Sequence, residues 1–189
     1  SGVLRIKSSG GPTATVTFTG EFRWPCWGRQ RYYLENVREA LDAPGEWYLD
    51  HKAGKLYYWP KDGEDPAKAE VIAPKAAALL AFEGKPAEGK YVDYVTFRGL
   101  SFQHTSYLLP KEGMPCQQAA NSVSAAIDGN GARNCIIENC EVAHISNYGV
   151  WFRQGCFDNL VRKTHIHDLG AGGVRIGVGG NPASDAEAT

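Results

Sequence analysis

No apolar run in this chain approaches the 18 or so residues that a membrane-spanning helix needs; the longest is Ala76 to Phe82, so no membrane partner is expected. Charge of one sign is also missing. The 20 Lys and Arg against 21 Asp and Glu leave a net charge of -1, which argues against nucleic acid as the main partner. The start, Ser1-Gly2, has neither a basic stretch nor an apolar signal region; either a leader was removed or the chain begins inside a longer protein. Cysteine is too scarce, and odd in number at 5, for a complete internal disulfide set. Without a C-x-x-C motif a structural zinc site is not expected, and no metal or cofactor is assigned. Cys26 and Cys116 fall in loops and can pair if the protein is secreted, whereas Cys140 falls at an inward position and reads as a buried free thiol.

What is present is a repeat. Slid along itself by 24 positions, the stretch from Arg133 to Asn181 places Val142 on Ile166, Ile145 on Leu169, Gly149 on Gly173, Val150 on Val174 and Phe152 on Ile176. A shift of 40 lays Thr96-Phe97-Arg98-Gly99-Leu100-Ser101-Phe102 on Ile136-Ile137-Glu138-Asn139-Cys140-Glu141-Val142, the extra residues falling in a loop over 106–123. A self-match at such a period marks a stacked-repeat fold. Its short β-branched runs, broken by Asn and Gly, predict a parallel β-solenoid whose strands pair with their copies one rung away. The 22 Gly with 5 Trp, 9 Tyr and 7 Phe suit such a turn-rich β protein with sugar-sized surfaces.

Along the chain, 1–20 reads as the first strands of the solenoid and 21–90 as a β-rich insertion. Within the insertion, Leu34, Val37 and Leu41 at helical spacing predict one short helix. Glu46 to Asp50 and Lys55 to Pro60 around a Gly-bearing turn predict a hairpin, and Ala69 to Ala73 and Leu79 to Glu83 two further strands. Rungs are expected over 91–181, followed by a polar tail at 182–189. An uncapped solenoid end predicts further rungs in a longer chain, or end-to-end self-association.

The runs Arg31-Tyr32-Tyr33-Leu34-Glu35-Asn36, Leu41 to Asp50 and Leu56-Tyr57-Tyr58-Trp59-Pro60 resemble the inserted segment of right-handed parallel β-helix glycoside hydrolases, namely family 141, the α-L-fucosidase and xylanase family. Phe97 to Thr105 and Asp168 to Gly177 are similar to its rungs. The resemblance implies an all-β, pectate-lyase-like right-handed β-helix from a bacterial, secreted or periplasmic glycoside hydrolase acting on plant or algal cell-wall polysaccharide. It also implies catalytic acids in later rungs, since no residue here can be matched to them.

Three outward columns can carry chemistry. Glu141 lies against His165, and His167 leaves the same strand face; this group suits acid/base work, a metal, or a solvated ion pair. Asp128, Trp151 and Arg175, with Arg153 beside Trp151, suit sugar binding through an indole face and charged hydrogen bonds, unless Trp151 is covered. His104, His144 and Asp168 stand at a strand-to-turn junction, where hydrogen bonding to the turn is expected; Asn134, Asn139, Asn147 and Asn159 read as turn residues. The glycine-rich runs Gly170 to Gly173 and Gly177 to Gly180 lack the order and following helix of a phosphate loop. Asp128, Glu141, Asp168, His165 and His167 are the catalytic candidates, and an oligo- or polysaccharide is the expected partner. The alternatives are a non-catalytic polysaccharide-binding module, or a polysaccharide lyase with Arg153 or Arg175 as base.

Overall fold

The computed structural model describes residues 2–11, 15–22, 25, 28, 31–115, 120–178 and 188. The chain forms two compact units, one of Ser1–Arg23 with Ala73–Thr189, the other of Trp24–Ile72. Both are β-structured, and helix among the described residues amounts to three single 3-10 turns, Arg38–Ala40, Pro66–Lys68 and Pro86–Glu88.

The larger unit is built on three parallel sheets. The first runs in the order Val174–Ile176, Tyr148–Phe152, Ala125–Asn130, Leu80–Glu83; the second Leu160–Arg162, Ile136–Glu138, Thr96–Arg98; the third His165–Ile166, Glu141–Ile145, Ser101–Thr105. Three passes of the chain each contribute one strand to each sheet, and Val174–Ile176 adds a fourth strand to the first. Val142 pairs with Ile166 and with Phe102, the offsets of 24 and 40 seen in the sequence. Between Ala125–Asn130 and Tyr148–Phe152 of the first sheet the offset is 23, so that Asp128 pairs with Trp151, while Trp151 pairs with Arg175 at 24.

β-Branched and aromatic side chains at alternate positions point inward and stack. Ile127, Ile137, Val142 and Val150 are almost completely buried, with Phe82, Phe102 and Phe152 beside them. Burial follows the number of neighbours. Val150, flanked on both sides, is 0% exposed, while Val174 in the same column is 48% exposed. A single rung cannot cover its own apolar face. Cys135, Cys140 and Cys156 are buried free thiols, and burial pushes the Cys156 thiol up. Cys26 and Cys116 lie outside the described residues.

Corners between strands are set by residues in the left-handed region, and these stack too. Tyr94, Asn134 and Asp158 (φ 59, 52 and 56°) form one ladder, Gly99, Asn139 and Lys163 (68, 50 and 50°) a second, and His104, His144 and Asp168 (64, 53 and 50°) a third. Asn and Asp tolerate this conformation better than most residues, which accounts for their recurrence at the corners. Asn147 is buried instead. Its amide donates to Ala77 O and Ser124 Oγ, and its carbonyl accepts from Thr105 Oγ1, so one side chain ties two rungs to the preceding segment.

Four local expectations are corrected. The helix over 34–41 is only the 3-10 turn Arg38–Ala40. Asn36, at φ 52°, exchanges two hydrogen bonds with the Leu49 backbone, which pins the preceding segment beside a strand instead of letting it coil. No strand forms over 69–73. Leu80–Glu83, assigned above to the insertion, pairs in parallel with Ala125–Asn130. At the N-terminus, Ile6–Gly10 and Thr15–Phe18 pair antiparallel with each other around a glycine turn, while Gly2–Val3 pairs with Met114–Pro115 of the long loop. In the smaller unit the hairpin is present as Trp47–Asp50 with Lys55–Tyr58.

Candidate functional site

Two clusters stand on outward faces of the larger unit. On the third sheet, Glu141 and His165 are register partners, and His167 projects from the same side two residues on. The ligand-capable atoms of the three lie within 4.8 Å of one another, and His167 Nε2 is 3.3 Å from Glu141 Oε1. The other carboxylate oxygen, Oε2, accepts from Ser101 Oγ at 2.8 Å and Gln103 Nε2 at 2.6 Å. The Ser101 hydroxyl, together with His167 and Gln103, holds the Glu141 carboxyl below its ordinary range. A general acid requires the opposite shift, so Glu141 is equipped as a fixed anion and not as a proton donor.

The imidazoles continue the cluster. His165 and His167 stack with centroids 4.0 Å apart, His167 meets His144 edge-on at 6.1 Å, and His144 stacks on His104 at 5.2 Å. His144 Nδ1 hydrogen-bonds the Asp168 carboxylate. Four of the chain's 5 histidines thus share one face with two carboxylates. The third column, expected to hydrogen-bond the turn, instead pairs His144 with Asp168, and with left-handed backbone at His104 and His144 it sets both rings in this row.

On the first sheet, Arg153 grips Asp128 through two hydrogen bonds, Nε to Oδ1 at 2.6 Å and Nη2 to Oδ2 at 2.7 Å. The Arg153 guanidinium also lies 3.5 Å from the Trp151 ring centroid, and that of Arg175 lies 3.7 Å from it. Trp151 is 6% exposed and its indole N–H donates to Gly177 O. Two guanidiniums this close to one ring lie on its opposite faces, so the indole is sandwiched between two arginines and is not an open stacking platform; a ligand here meets guanidinium and carboxylate edges. An open depression of about 470 Å³ beside the pair is lined by Glu83, Lys85, Asp128, Asn130 and Arg153 among others.

Asp128 stands in a different sheet from Glu141, so it does not join the other catalytic candidates, of which Glu141, His165 and His167 converge. Ser101, Gln103, Glu83 and Asn130 were not anticipated. The offset of 40 from Ser101 to Glu141 carries the signal for the first two. The last two became visible only with the strand Leu80–Glu83 placed in the sheet.

Comparison with known proteins bears on both units. Residues 12–61 match the model of the GH141 insertion domain. The insertion-domain segment contains the Trp47–Asp50 and Lys55–Tyr58 hairpin and the Asn36 clasp on Leu49. A solved structure described as a glycoside hydrolase superposes on 93% of the chain with a TM-score of 0.76 and 23% identity, a likeness of fold. The chain spans 37% of the length of that protein. No curated protein matches the sequence.

Proposed function

We propose that this chain is part of a glycoside hydrolase acting on plant or algal cell-wall polysaccharide, its parallel sheets wound as a right-handed β-helix. The observation that carries the reading is the GH141 insertion-domain match joined to stacked parallel sheets of glycoside-hydrolase-like fold. Such a protein works outside the cytoplasm, secreted or periplasmic, where its polymeric substrate is found.

Within these residues the role is binding. Both oxygens of Asp128 engage Arg153, and Glu141 is held as an anion, so neither is arranged to deliver a proton. Hydrolysis needs two carboxylates roughly 5–5.5 Å apart for retention or roughly 6.5–9.5 Å apart for inversion. That pair is assigned to other rungs of the whole enzyme. Asp128, Arg153 and Arg175 present charge-assisted hydrogen bonds around the sandwiched Trp151 ring, which suits sugar hydroxyls or a uronate carboxylate. This geometry equally supports a non-catalytic polysaccharide-binding module.

The test is a titration of the chain with xylan, pectin and fucosylated oligosaccharides, read by tryptophan fluorescence and calorimetry. One of these is expected to bind, and Arg153→Ala to weaken it at least tenfold. No binding by the wild type to any of them removes the site reading. Assay of a chain carrying further rungs then decides the chemistry: new reducing ends support the hydrolase, and an unsaturated ultraviolet-absorbing product would identify a lyase instead.

A further inference from the structure

We propose that Glu141, His165 and His167 form a binding site for a divalent cation of the zinc class, joining two neighbouring strands of the third sheet. The donor set is two imidazoles and one carboxylate, the combination that binds zinc while leaving a fourth position open. Strand geometry provides the convergence. His165 and His167 leave one face because they are two apart, and parallel pairing brings Glu141 beside them. The backbone N–H of His167 donates to Val142 O, which carries the register past the strand end.

The spacing fits. Bonds of about 2.0–2.1 Å to a tetrahedral ion put ligand atoms roughly 3.3–3.4 Å apart. His167 Nε2 and Glu141 Oε1 are already 3.3 Å apart, and all three donors lie within 4.8 Å. Binding requires the exposed His165 ring to turn out of its stack on His167, so that both ring nitrogens face one point.

The carboxylate is also held as a ligand should be. Oε2 is fixed by Ser101 and Gln103, and Oε1 is directed at His167. Such outer hydrogen bonds orient ligands and typically account for about 10–100-fold in metal affinity. Imidazole with carboxylate favours zinc-class ions over magnesium or calcium, which prefer all-oxygen sites. The bound ion would staple two rungs and leave one coordination position for water or a sugar oxygen. The site stands independently of the polysaccharide reading.

The test uses the full 189-residue chain, free of any histidine tag and stripped with chelator. Zinc is titrated by calorimetry and cobalt(II) by visible absorption. One zinc ion per chain, a rise in melting temperature and the intense visible band of four-coordinate cobalt are expected. His165→Ala with His167→Ala should abolish these signals, Gln103→Ala should weaken binding about tenfold, and His51→Ala in the other unit should change nothing. Absence of zinc binding, a pale six-coordinate cobalt spectrum, or equal affinity in the double variant would overturn the proposal. Circular dichroism checks the fold of each variant; if the double variant does not fold, the wild-type cobalt spectrum and the single His165→Gln variant decide.

Discussion

Glu138 lies between Arg98 on one neighbouring strand and Arg162 on the other. Its side chain is 8% exposed and forms ion pairs with both, at 2.7 and 3.0 Å. The Arg162 and Arg98 guanidiniums hold its carboxyl below the usual range. A carboxyl whose folded pKa is depressed contributes stability above its unfolded pKa, near 4.3 for Glu, and loses it as the pH falls through the folded value. Glu138→Gln should therefore lower the melting temperature at pH 7, and the gap from wild type should close as both proteins are melted at acid pH. A gap at pH 3 as large as that at pH 7 would show that shape, not charge, is what Glu138 contributes. The residues of the candidate sites differ in how far they can be read without a structure. The pairing of Glu141 with His165 follows from the offset of 24 alone. The cover over Trp151 does not, because Arg153 reaches Asp128 diagonally across strands and Arg175 closes on the opposite face of the indole from the next rung. Long side chains choose such partners in three dimensions, and register fixes only their starting points.

The strands are short, three to six residues in the parallel sheets apart from the two-residue ends, so the corners do much of the shaping. The ladder Gly99, Asn139, Lys163 shows what a corner requires, since all three have φ between 50 and 68°. A β-branched residue there meets its own carbonyl. Asn139→Val should destabilise the chain by about 1–2 kcal/mol, and Asn139→Gly by far less, measured by urea unfolding. Equal effects would mean that the Asn139 side chain, not its backbone, matters. The stacked elements are legible because inward Val, Ile and Phe recur at a constant offset, and that recurrence is a consequence of columnar packing. Where packing is not columnar, reading fails. The spacing of Leu34, Val37 and Leu41 fits a helix, but the Asn36 clasp on Leu49 replaces helical hydrogen bonds with a strand-like pair. The two N-terminal runs alternate as strands should, yet alternation carries no information about whether the partner is parallel or antiparallel.

At the scale of the molecule, the same rule governs core and surface. Successive passes of the chain lie in register, so inward residues bury one another and outward residues accumulate into columns. The core thins where a rung has one neighbour, and the charged and imidazole columns cross rungs in the same way. Both the carbohydrate reading and the metal site depend on this register. It can be tested with paired cysteines on the outer face of the second sheet, in a background with Cys26→Ser and Cys116→Ser. Ile136 and Leu160 are register partners there, and adjacent strands are about 4.8 Å apart, within the roughly 4.4–6.8 Å Cα separation of disulfides. Ile136→Cys with Leu160→Cys should close an intrachain disulfide under mild oxidation, identified by mass spectrometry, whereas Ile136→Cys with Val161→Cys should not, because the second thiol points into the core. Cross-linking of the second pair as fast as the first, or of the first only between molecules, would contradict the stacked register.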